Sequence, residues 1–214
     1  MNEANKATAL KIASDLLSIE AIKLNINNPF TWSSGWKSPI YCDNRMSLSY
    51  PETRTFIKQE LAKAAREHFQ GYEAVAGVAT AGIPQGALLA DVLGVPFIYV
   101  RSKPKGHGME NLIEGKVDPG KKVLVVEDLV STGGSSLKAA QALREAGYEV
   151  LGMLAIFTYG FPLADENFEK AGITLHCLSN YSIMLEKAIE MGYVGADDLA
   201  SLEEWRKAPA LWRQ

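Results

Sequence analysis

The chain has 214 residues, 47% of them hydrophobic and 22% charged, and this length favours one main folded unit with an appendage. Its formal net charge of −3 argues against a protein that binds nucleic acid over its whole surface. No apolar run approaches the roughly 18 residues of a membrane span, and the N-terminus lacks the apolar segment of a signal peptide. Two cysteines without metal-site spacing favour a reducing compartment, so we expect a cytoplasmic protein without a nucleic-acid or membrane partner.

The N-terminal residues 1–50 are predicted to form a helix followed by a small hood. Apolar side chains recur at helical spacing through residues 7–24, which predicts one amphipathic helix there. Its apolar face comprises Leu10, Ala13, Leu17 and Leu24. The stretch FTWSSGWKSPIYCDNR, residues 30–45, is aromatic and contains proline, and it shows no regular period. We therefore predict an irregular flap over these residues.

Residues 51–214 are predicted to form an α/β core with a helical C-terminal tail. Buried strands are expected at 74–78, 96–100, 123–127, 150–157 and 173–178. Helices are expected at 51–68, 84–92, 135–146, 163–171 and 181–191. This alternation predicts a parallel twisted sheet with helices on both faces. In the tail, Trp205 and Trp212 have the spacing of one helical face, which favours docking on the core over docking on a partner.

The stretch VVEDLVSTGGSS, residues 125–136, contains a candidate phosphate-binding turn. Ligands of open α/β sheets bind at the carboxyl ends of the strands, where this turn is expected. The glycines permit backbone N–H groups to converge on an anion, and the following helix adds its positive dipole end. The stretch lacks the lysine of a Walker A loop and the spacing of a dinucleotide fingerprint. By itself, STGG is also typical of an ordinary strand-to-helix turn.

Glu127 and Asp128 are adjacent carboxylates just before this turn. Two acids so close repel each other unless they share a cation or several hydroxyl donors, and a ribose diol supplies such donors. An apolar run, two acids, two apolar residues and S/T-T-G-G-S/T together resemble the phosphoribosyl-diphosphate signature of type I phosphoribosyltransferases. Some transcriptional regulators of nucleotide genes keep the same signature, so the motif alone does not establish catalysis.

The resemblance implies the type I phosphoribosyltransferase fold and gives each residue of the motif a role. Glu127 and Asp128 would be catalytic: they would bind the ribose hydroxyls and face the positive charge that develops at the anomeric carbon. The residues that follow would bind the substrate, with 131–135 holding the 5-phosphate of the sugar. These substrate-binding residues are Leu129, Val130, Ser131, Thr132, Gly133, Gly134 and Ser135.

The stretch RSKPKGHG, residues 101–108, is a second candidate site. A solvated basic loop is the simpler interpretation of such a charge run. However, it follows the strand predicted at 96–100 and so emerges at the same sheet edge as the acid pair. Cations on a mobile loop there can stabilise a departing diphosphate, and a histidine can protonate the departing oxygen. The candidates are Lys105 and His107 as catalytic residues and Arg101 and Lys103 as substrate-binding residues.

The stretch GVATAGIP, residues 77–84, follows the first predicted strand of the core. Its small residues permit close backbone approach to a ligand, although a plain turn explains them equally well. The family resemblance makes this stretch the diphosphate-binding loop, with Thr80 and Ala81 in contact with the substrate.

The hood narrows the resemblance to one branch of the family. Residues 30–45 are similar to the N-terminal hood of the orotate phosphoribosyltransferases, and the site stretches follow in the order of that family. The resemblance implies transfer of the phosphoribosyl group from 5-phosphoribosyl 1-diphosphate to orotate, giving orotidine 5-phosphate and diphosphate in UMP biosynthesis. It further implies that Lys37 and Tyr41 contact substrate, that Mg²⁺ arrives on the donor rather than at a protein metal site, and that a homodimer places the mobile loop in trans.

At three positions this chain lacks a lysine that some family members carry. These positions are Ser33, Ala81 and Ser102. These departures leave the set of diphosphate contacts open. A transferase for a purine or another pyrimidine base remains an alternative, which the hood disfavours. A regulator that binds the donor without turnover is the other, and no helix-turn-helix candidate supports it. Since orotate is already anionic, a general base for its ring nitrogen is not required. We also expect no covalent nucleophile, and we expect Cys42 to be a packing residue.

Overall fold

The computed structural model describes residues 3–32, 34–103 and 112–213. Within these residues, the N-terminal part contains a helix, four short strands and a 3-10 helix. They are α1 (Glu3–Ser18), β1 (Ile22–Leu24), β2 (Phe30–Thr31), β3 (Lys37–Ser38), β4 (Ile40–Cys42) and the 3-10 helix Asn44–Ser49. Strand β1 pairs antiparallel with β4, and β2 pairs antiparallel with β3. The prediction of an irregular hood was therefore wrong, because two short ribbons order it.

Helix α1 is shorter than the predicted helix over residues 7–24. It ends at Ser18, and Glu20 adopts a φ of 57°, in the left-handed region that commonly closes a helix. Leu24 consequently lies in β1, where it pairs with Ile40, and not on the helical face. The buried face of α1 is formed by Ala9, Ile12, Ala13, Leu16 and Leu17.

Six further strands of the described residues form the central sheet. In chain order they are β5 (Ala74–Val78), β6 (Phe97–Val100), β7 (Ile113–Glu114), β8 (Lys122–Val130), β9 (Glu149–Thr158) and β10 (Leu175–Asn180). Across the sheet the order is β10-β9-β8-β5-β6-β7. All neighbouring pairs are parallel except β6 and β7, which pair antiparallel. The predicted parallel sheet is confirmed, with a short antiparallel strand added at its edge.

Strand β8 continues past its predicted end at residue 127. Its partner β9 runs to Thr158, and the pairing continues through Leu129 with Phe157 and Val130 with Thr158. The acid pair therefore lies inside the strand and not at its end. Pairing with β9 at Glu127 and again at Leu129 holds the backbone of the pair, whereas the pairing with β5 ends at Val126.

Helices cover both faces of the sheet, as predicted. They are α2 (Pro51–His68), α3 (Gly82–Leu93), α4 (Gly134–Glu145), α5 (Pro162–Ala171), α6 (Tyr181–Glu190) and α7 (Leu199–Lys207). One apolar core joins α1, α2, α3, α6 and α7 to one face, and a second joins α4 and α5 to the other. Strand side chains alternate between them, with Leu124 in the first core and Val125 in the second. None of the described helices is long and apolar enough to cross a membrane.

The C-terminal tail docks on the core, as predicted. Trp205 is fully buried and Trp212 nearly so. The two residues do not share one helical face, since α7 ends at Lys207 and Trp212 lies beyond it. Arg213 donates through Nη1 to the carbonyl of Ile26 at 2.6 Å, which ties the tail to the N-terminal part.

Candidate functional site

Glu127 is a buried acid at the carboxyl side of the sheet, with a relative exposure of only 6%. Its Oε2 accepts a hydrogen bond from Ser136 Oγ at 3.0 Å, and its Oε1 accepts one from the N–H of Asp128 at 3.0 Å. Asn44, in the 3-10 helix of the hood, donates through Nδ2 to the carbonyl of Asp128 at 2.8 Å. The acid pair is thus tied to α4 on one side and to the hood on the other.

Simultaneous ionisation of the two carboxyl groups is unfavourable. Burial raises the pKa of Glu127 well above its usual range, and the charge of Asp128 adds to the rise. Burial also raises the pKa of Asp128, against the opposing effects of its hydrogen bonds and of Arg45. A ligand that offers hydroxyl donors to this pair would offset the cost of its charge. The electrostatics therefore suit a diol such as ribose.

Replacing Glu127 with Gln is expected to stabilise the fold, and increasingly so as the pH rises. The folded protein binds more protons than the unfolded chain where the folded pKa is raised, so wild-type stability falls as the pH rises through that range. Glutamine can keep both hydrogen bonds, accepting from Asp128 and donating to Ser136. Thermal unfolding of both proteins at about pH 5 and about pH 8 measures the effect. A Glu127→Gln variant that melts below the wild type at the higher pH would contradict it.

The turn after β8 is the stretch predicted to form a phosphate cradle. Gly133 has a φ of 81°, and a Cβ there would lie 2.7 Å from Cε2 of Phe168. Asn167 donates through Nδ2 to the carbonyl of Thr132 at 3.0 Å, which fixes the turn from α5. Helix α4 begins at Gly134, so its N-terminal N–H groups and positive dipole end belong to the cradle. An anion is the ligand that this geometry favours.

The loop after β5 lies beside the acid pair. The peptide bond between Ala79 and Thr80 is cis, and the N–H of Ala79 donates to the carbonyl of Val100 at 2.9 Å. Gly82, which begins α3, contacts β8 so closely that a Cβ would lie 2.4 Å from the carbonyl oxygen of Val126. A glycine at position 82 is therefore needed for backbone packing against the strand that carries the acids.

Replacing Gly82 with Ala should destabilise the protein by about 1–3 kcal/mol, although alanine usually favours a helix. The added methyl group meets backbone atoms of β8, which cannot rotate away as a side chain could. Gly134→Ala is a matched control, because it also begins a helix and its Cβ would have no atom nearer than Thr132 Oγ1 at 3.9 Å. Denaturant unfolding of both variants measures the difference, and equal stabilities would contradict the prediction.

Arg101 lies at the base of the predicted basic loop. Its N–H donates to the carbonyl of Leu112 at 2.7 Å, so the β6 and β7 pairing continues to the point where the loop leaves the sheet. Its guanidinium lies 3.6 Å from Oε1 of Glu114, and its Nη1 has no hydrogen-bond partner among the described residues. Lys103 is exposed. Lys105 and His107 lie in residues 104–111, outside the described part of the chain.

A cleft of about 720 Å³ separates the hood from the sheet edge. Aromatic and small polar side chains of the hood form one wall, and the ends of β8 and β9 form the other. The described lining residues are Thr31, Trp32, Ser34, Trp36, Tyr41, Cys42, Leu129, Ser131, Thr132, Tyr159 and Leu163. Trp32 is held in place by a 3.0 Å hydrogen bond from its Nε1 to the carbonyl of Ile40. Such an aromatic cleft suits a planar ring.

A second cleft, of about 640 Å³, brings together the other candidate loops. Ala79, Arg101 and Ser102 line it from the β5 and β6 side. Gly134 and Ser135 line it from the start of α4, whereas Ser131 and Thr132 line the first cleft. The cradle therefore lies between the two clefts, which suits a phosphosugar with a planar ring on one side and an anionic group on the other.

Comparison with known proteins identifies the family. Residues 53–170 match the family described as phosphoribosyl transferase domain. The chain is 59% identical to the orotate phosphoribosyltransferase of Porphyromonas gingivalis, over 94% of this chain and 96% of the relative. The chain belongs to the orotate phosphoribosyltransferase family. A second family member, from Cytophaga hutchinsonii, is 57% identical over 95% of this chain and 98% of its own length.

A solved structure of the family has the same architecture. The crystal structure of orotate phosphoribosyltransferase from Aeropyrum pernix superposes with a TM-score of 0.75 at 32% identity, covering 86% of this chain and 99% of that one. The fold predicted from the alternation of strands and helices is therefore the fold of this orotate phosphoribosyltransferase.

The two hood residues predicted to contact substrate lie in different places. Tyr41 is 42% exposed and lines the first cleft. Lys37 is not one of the described lining residues, but its Nζ donates at 2.8 Å to Oγ1 of Thr31, which does line this cleft. Of the motif residues, Leu129 lines the cleft, whereas the side chain of Val130 is fully buried in the core. Any contact of Val130 with substrate would therefore involve its backbone.

Cys42 was expected to pack in the hood, and its surroundings agree. Its thiol donates to Oδ1 of Asn44 at 3.3 Å. Burial raises the pKa of this thiol well above its usual range, and the charges of Asp128 and Asp43 add to the rise. A nucleophilic cysteine requires a low thiol pKa, so Cys42 is unsuited to that role although it lines the cleft.

Sequence reasoning missed several residues of the site. Tyr159 and Leu163 follow the end of β9 and line the first cleft. Ser136 holds the Glu127 carboxylate, and Asn44 holds the backbone of Asp128. The position of Tyr159 could have been found, because β9 is a parallel strand whose carboxyl end reaches the same sheet edge. The contacts of Asn44 join residues far apart in the chain, and no local pattern signals them.

Proposed function

We propose that this protein transfers the phosphoribosyl group from 5-phosphoribosyl 1-diphosphate to orotate, giving orotidine 5-phosphate and diphosphate in UMP biosynthesis. The observation that carries this proposal is the cradle and its acid pair, placed between two clefts in a member of the orotate phosphoribosyltransferase family. The first cleft would hold the pyrimidine and the second would receive the diphosphate.

The acid pair has a role in this reaction that its electrostatics support. Breaking the bond between the anomeric carbon and diphosphate builds positive charge on the ribose. Glu127 and Asp128 would bind the ribose hydroxyls and become more favourably ionised as that positive charge develops. Ser136 and the N–H of Asp128 hold Glu127 in position before the substrate arrives. The pair thereby stabilises the transition state more than the ground state.

The other side of the reaction requires positive charge near the leaving group. Arg101 borders the second cleft, and its Nη1 lacks a hydrogen-bond partner among the described residues. Lys103, Lys105 and His107 would add cations on the loop that Arg101 begins. Histidine would donate a proton to the departing oxygen. Orotate carries its own negative charge, so no general base is assigned to its ring nitrogen.

Mg²⁺ is proposed to enter as part of the donor and not as a resident metal. Phosphate and carboxylate oxygens are the ligands that Mg²⁺ prefers, and the donor's phosphates and the carboxylates of Glu127 and Asp128 are ligands of this type. When bound, the ion would neutralise part of the charge on diphosphate. The protein's own residues would bind the ribose, hold the 5-phosphate and orient the base.

A cytoplasmic homodimer is part of the same proposal. The support is the pattern of residues 101–108, which in the family completes the site of the neighbouring subunit. Lys105 and His107 of one subunit would then act with Glu127 and Asp128 of the other.

A panel of bases tests the proposed function. The purified protein is mixed with 5-phosphoribosyl 1-diphosphate, Mg²⁺ and orotate, adenine, hypoxanthine or uracil in separate reactions, and diphosphate release is followed. We expect diphosphate release only in the reaction that contains orotate, and not in those with adenine, hypoxanthine or uracil. Release with another base instead would retain the phosphosugar site and remove orotate as the substrate.

A further inference from the structure

Tyr159 is held rigidly at the end of β9. Its ring lies 5.0 Å from that of Trp32 and 5.5 Å from that of Phe161, the latter stacked. The rings of Phe157 and Trp205 meet it edge-on at 5.8 Å and 5.7 Å. The residue as a whole is only 2% exposed. Four aromatic neighbours therefore fix the ring, and little freedom remains for its hydroxyl to change position.

The hydroxyl of Tyr159 has no hydrogen-bond partner within the described chain, and since it is not one of the fully buried polar atoms left without a partner, it keeps some accessible surface. Three other tyrosines of the described residues donate to backbone carbonyls: Tyr148 to Val117, Tyr181 to Leu202 and Tyr193 to Leu17. Tyr159 instead lines the 720 Å³ cleft between the hood and the sheet edge. Its hydroxyl is thus a fixed donor without a protein acceptor, at the wall of the cleft assigned to the base.

The surroundings of this hydroxyl keep it protonated. Burial raises the pKa of Tyr159 well above its usual range, and the neighbouring Cys42 and Asp128 add to the rise. Tyr159 also borders a smaller cleft beside Tyr181, but the charges that act most strongly on its hydroxyl are those of Cys42 and Asp128, and Cys42 lines the 720 Å³ cleft. The described side chains lining that cleft are all uncharged. They can therefore recognise an anionic pyrimidine only through neutral hydrogen-bond donors. Orotate presents carbonyl and carboxylate oxygens as acceptors.

We propose that Tyr159 is a specificity-determining residue whose hydroxyl donates a hydrogen bond to an acceptor oxygen of the pyrimidine. The inference rests on the proposed function, because it assigns the cleft to orotate. The aromatic cluster positions the ring, and the hydroxyl recognises the base. Tyr159 is thereby separated in role from the acid pair, which acts on the ribose.

Tyr159→Phe tests this role, since it removes the hydroxyl and keeps the ring and its aromatic contacts. We expect the KM for orotate to rise about tenfold or more, with the KM for 5-phosphoribosyl 1-diphosphate within about twofold of the wild type. The melting temperature should not fall, because no hydrogen bond within the described protein is lost. Tyr181→Phe is the matched control: it removes a buried hydroxyl that bonds to Leu202 in the same aromatic cluster. That control should melt lower and keep its KM for orotate.

The wild-type protein is assayed first, so that the proposed transferase function and the proposed role of Tyr159 can be contradicted separately. Wild-type protein without orotate-dependent diphosphate release would overturn the proposed function and, with it, this role of Tyr159. With wild-type turnover established, an unchanged KM for orotate in Tyr159→Phe would overturn the inference alone. Equal rises in both KM values, or a loss of melting temperature matching that of Tyr181→Phe, would also overturn it, because they would indicate a structural role.

Discussion

Asp128→Asn is expected to lower kcat by roughly 100-fold to 1,000-fold, the scale seen when one preorganised electrostatic contact is removed. Asparagine is similar in shape but cannot carry the negative charge that faces the developing cation on the ribose. The KM for 5-phosphoribosyl 1-diphosphate should change far less, because the ground state carries little of that positive charge. Steady-state kinetics with both substrates varied separates the two effects.

Asp118→Asn provides the matched control for this substitution. Asp118 is an exposed acid that precedes β8 at the opposite end of the strand from the acid pair. Its replacement should leave both kinetic constants unchanged. If Asp128→Asn instead weakened donor affinity as much as it slowed turnover, Asp128 would serve only in recognition of the ribose.

Lys105→Ala is the second substitution with a large expected effect, a loss of kcat of roughly 100-fold or more. Lysine at this position would stabilise the negative charge that builds on the departing diphosphate, so the loss should be in turnover. Thermal unfolding should match that of the wild type, because the sequence predicts a solvated loop at this position and residues in such loops contribute little stability. Lys116→Ala, which removes an exposed lysine elsewhere, is the control. A wild-type rate in Lys105→Ala would remove this residue from the mechanism.

Mixing the two inactive variants tests whether the loop acts in trans. If the loop acts in trans, a heterodimer of Lys105→Ala and Asp128→Asn subunits would contain one site with both substitutions and one site with neither. We therefore expect activity to reappear after the subunits are allowed to exchange. No recovery, with exchange shown by differently tagged subunits, would place Lys105 in the site of its own chain.

The core of the fold could be predicted because its signals are local. Pro51 begins α2 and the helix ends at His68, as the proline and the following Gly71 indicated. The apolar run Ala74–Val78 forms β5 with the predicted bounds. Strands whose partners lie on both sides and whose faces are both covered by helices show near-continuous apolar runs, which makes them visible without any alignment.

The errors arose where long-range pairing overrides a local pattern. The acids at 127 and 128 interrupt an apolar run and indicated a strand end, yet pairing of Leu129 and Val130 with β9 extends β8 past them. Leu24 fits a helical period, but its pairing with Ile40 places it in a ribbon. The edge strand β7 has two residues and owes its conformation to β6.

The residues proposed to contact the substrate could be predicted from the sequence, whereas most of the residues that hold them in position could not. Glu127, Asp128 and the turn at 131–135 lie within one short stretch of the sequence, so one motif reveals them. Their positioning partners Asn44 and Ser136 reach them through hydrogen bonds that no spacing encodes. Tyr159 joins the site because parallel strands end at a common edge, a rule that also located the other loops.

Orotate absorbance in the ultraviolet, followed after mixing the purified protein with orotate, 5-phosphoribosyl 1-diphosphate and Mg²⁺, tests the central claim most directly. We predict a loss of absorbance that requires both the protein and the donor and that is slowed by Asp128→Asn. Donor binding to the wild-type protein without any loss of orotate would contradict the claim and indicate a sensor of the phosphosugar.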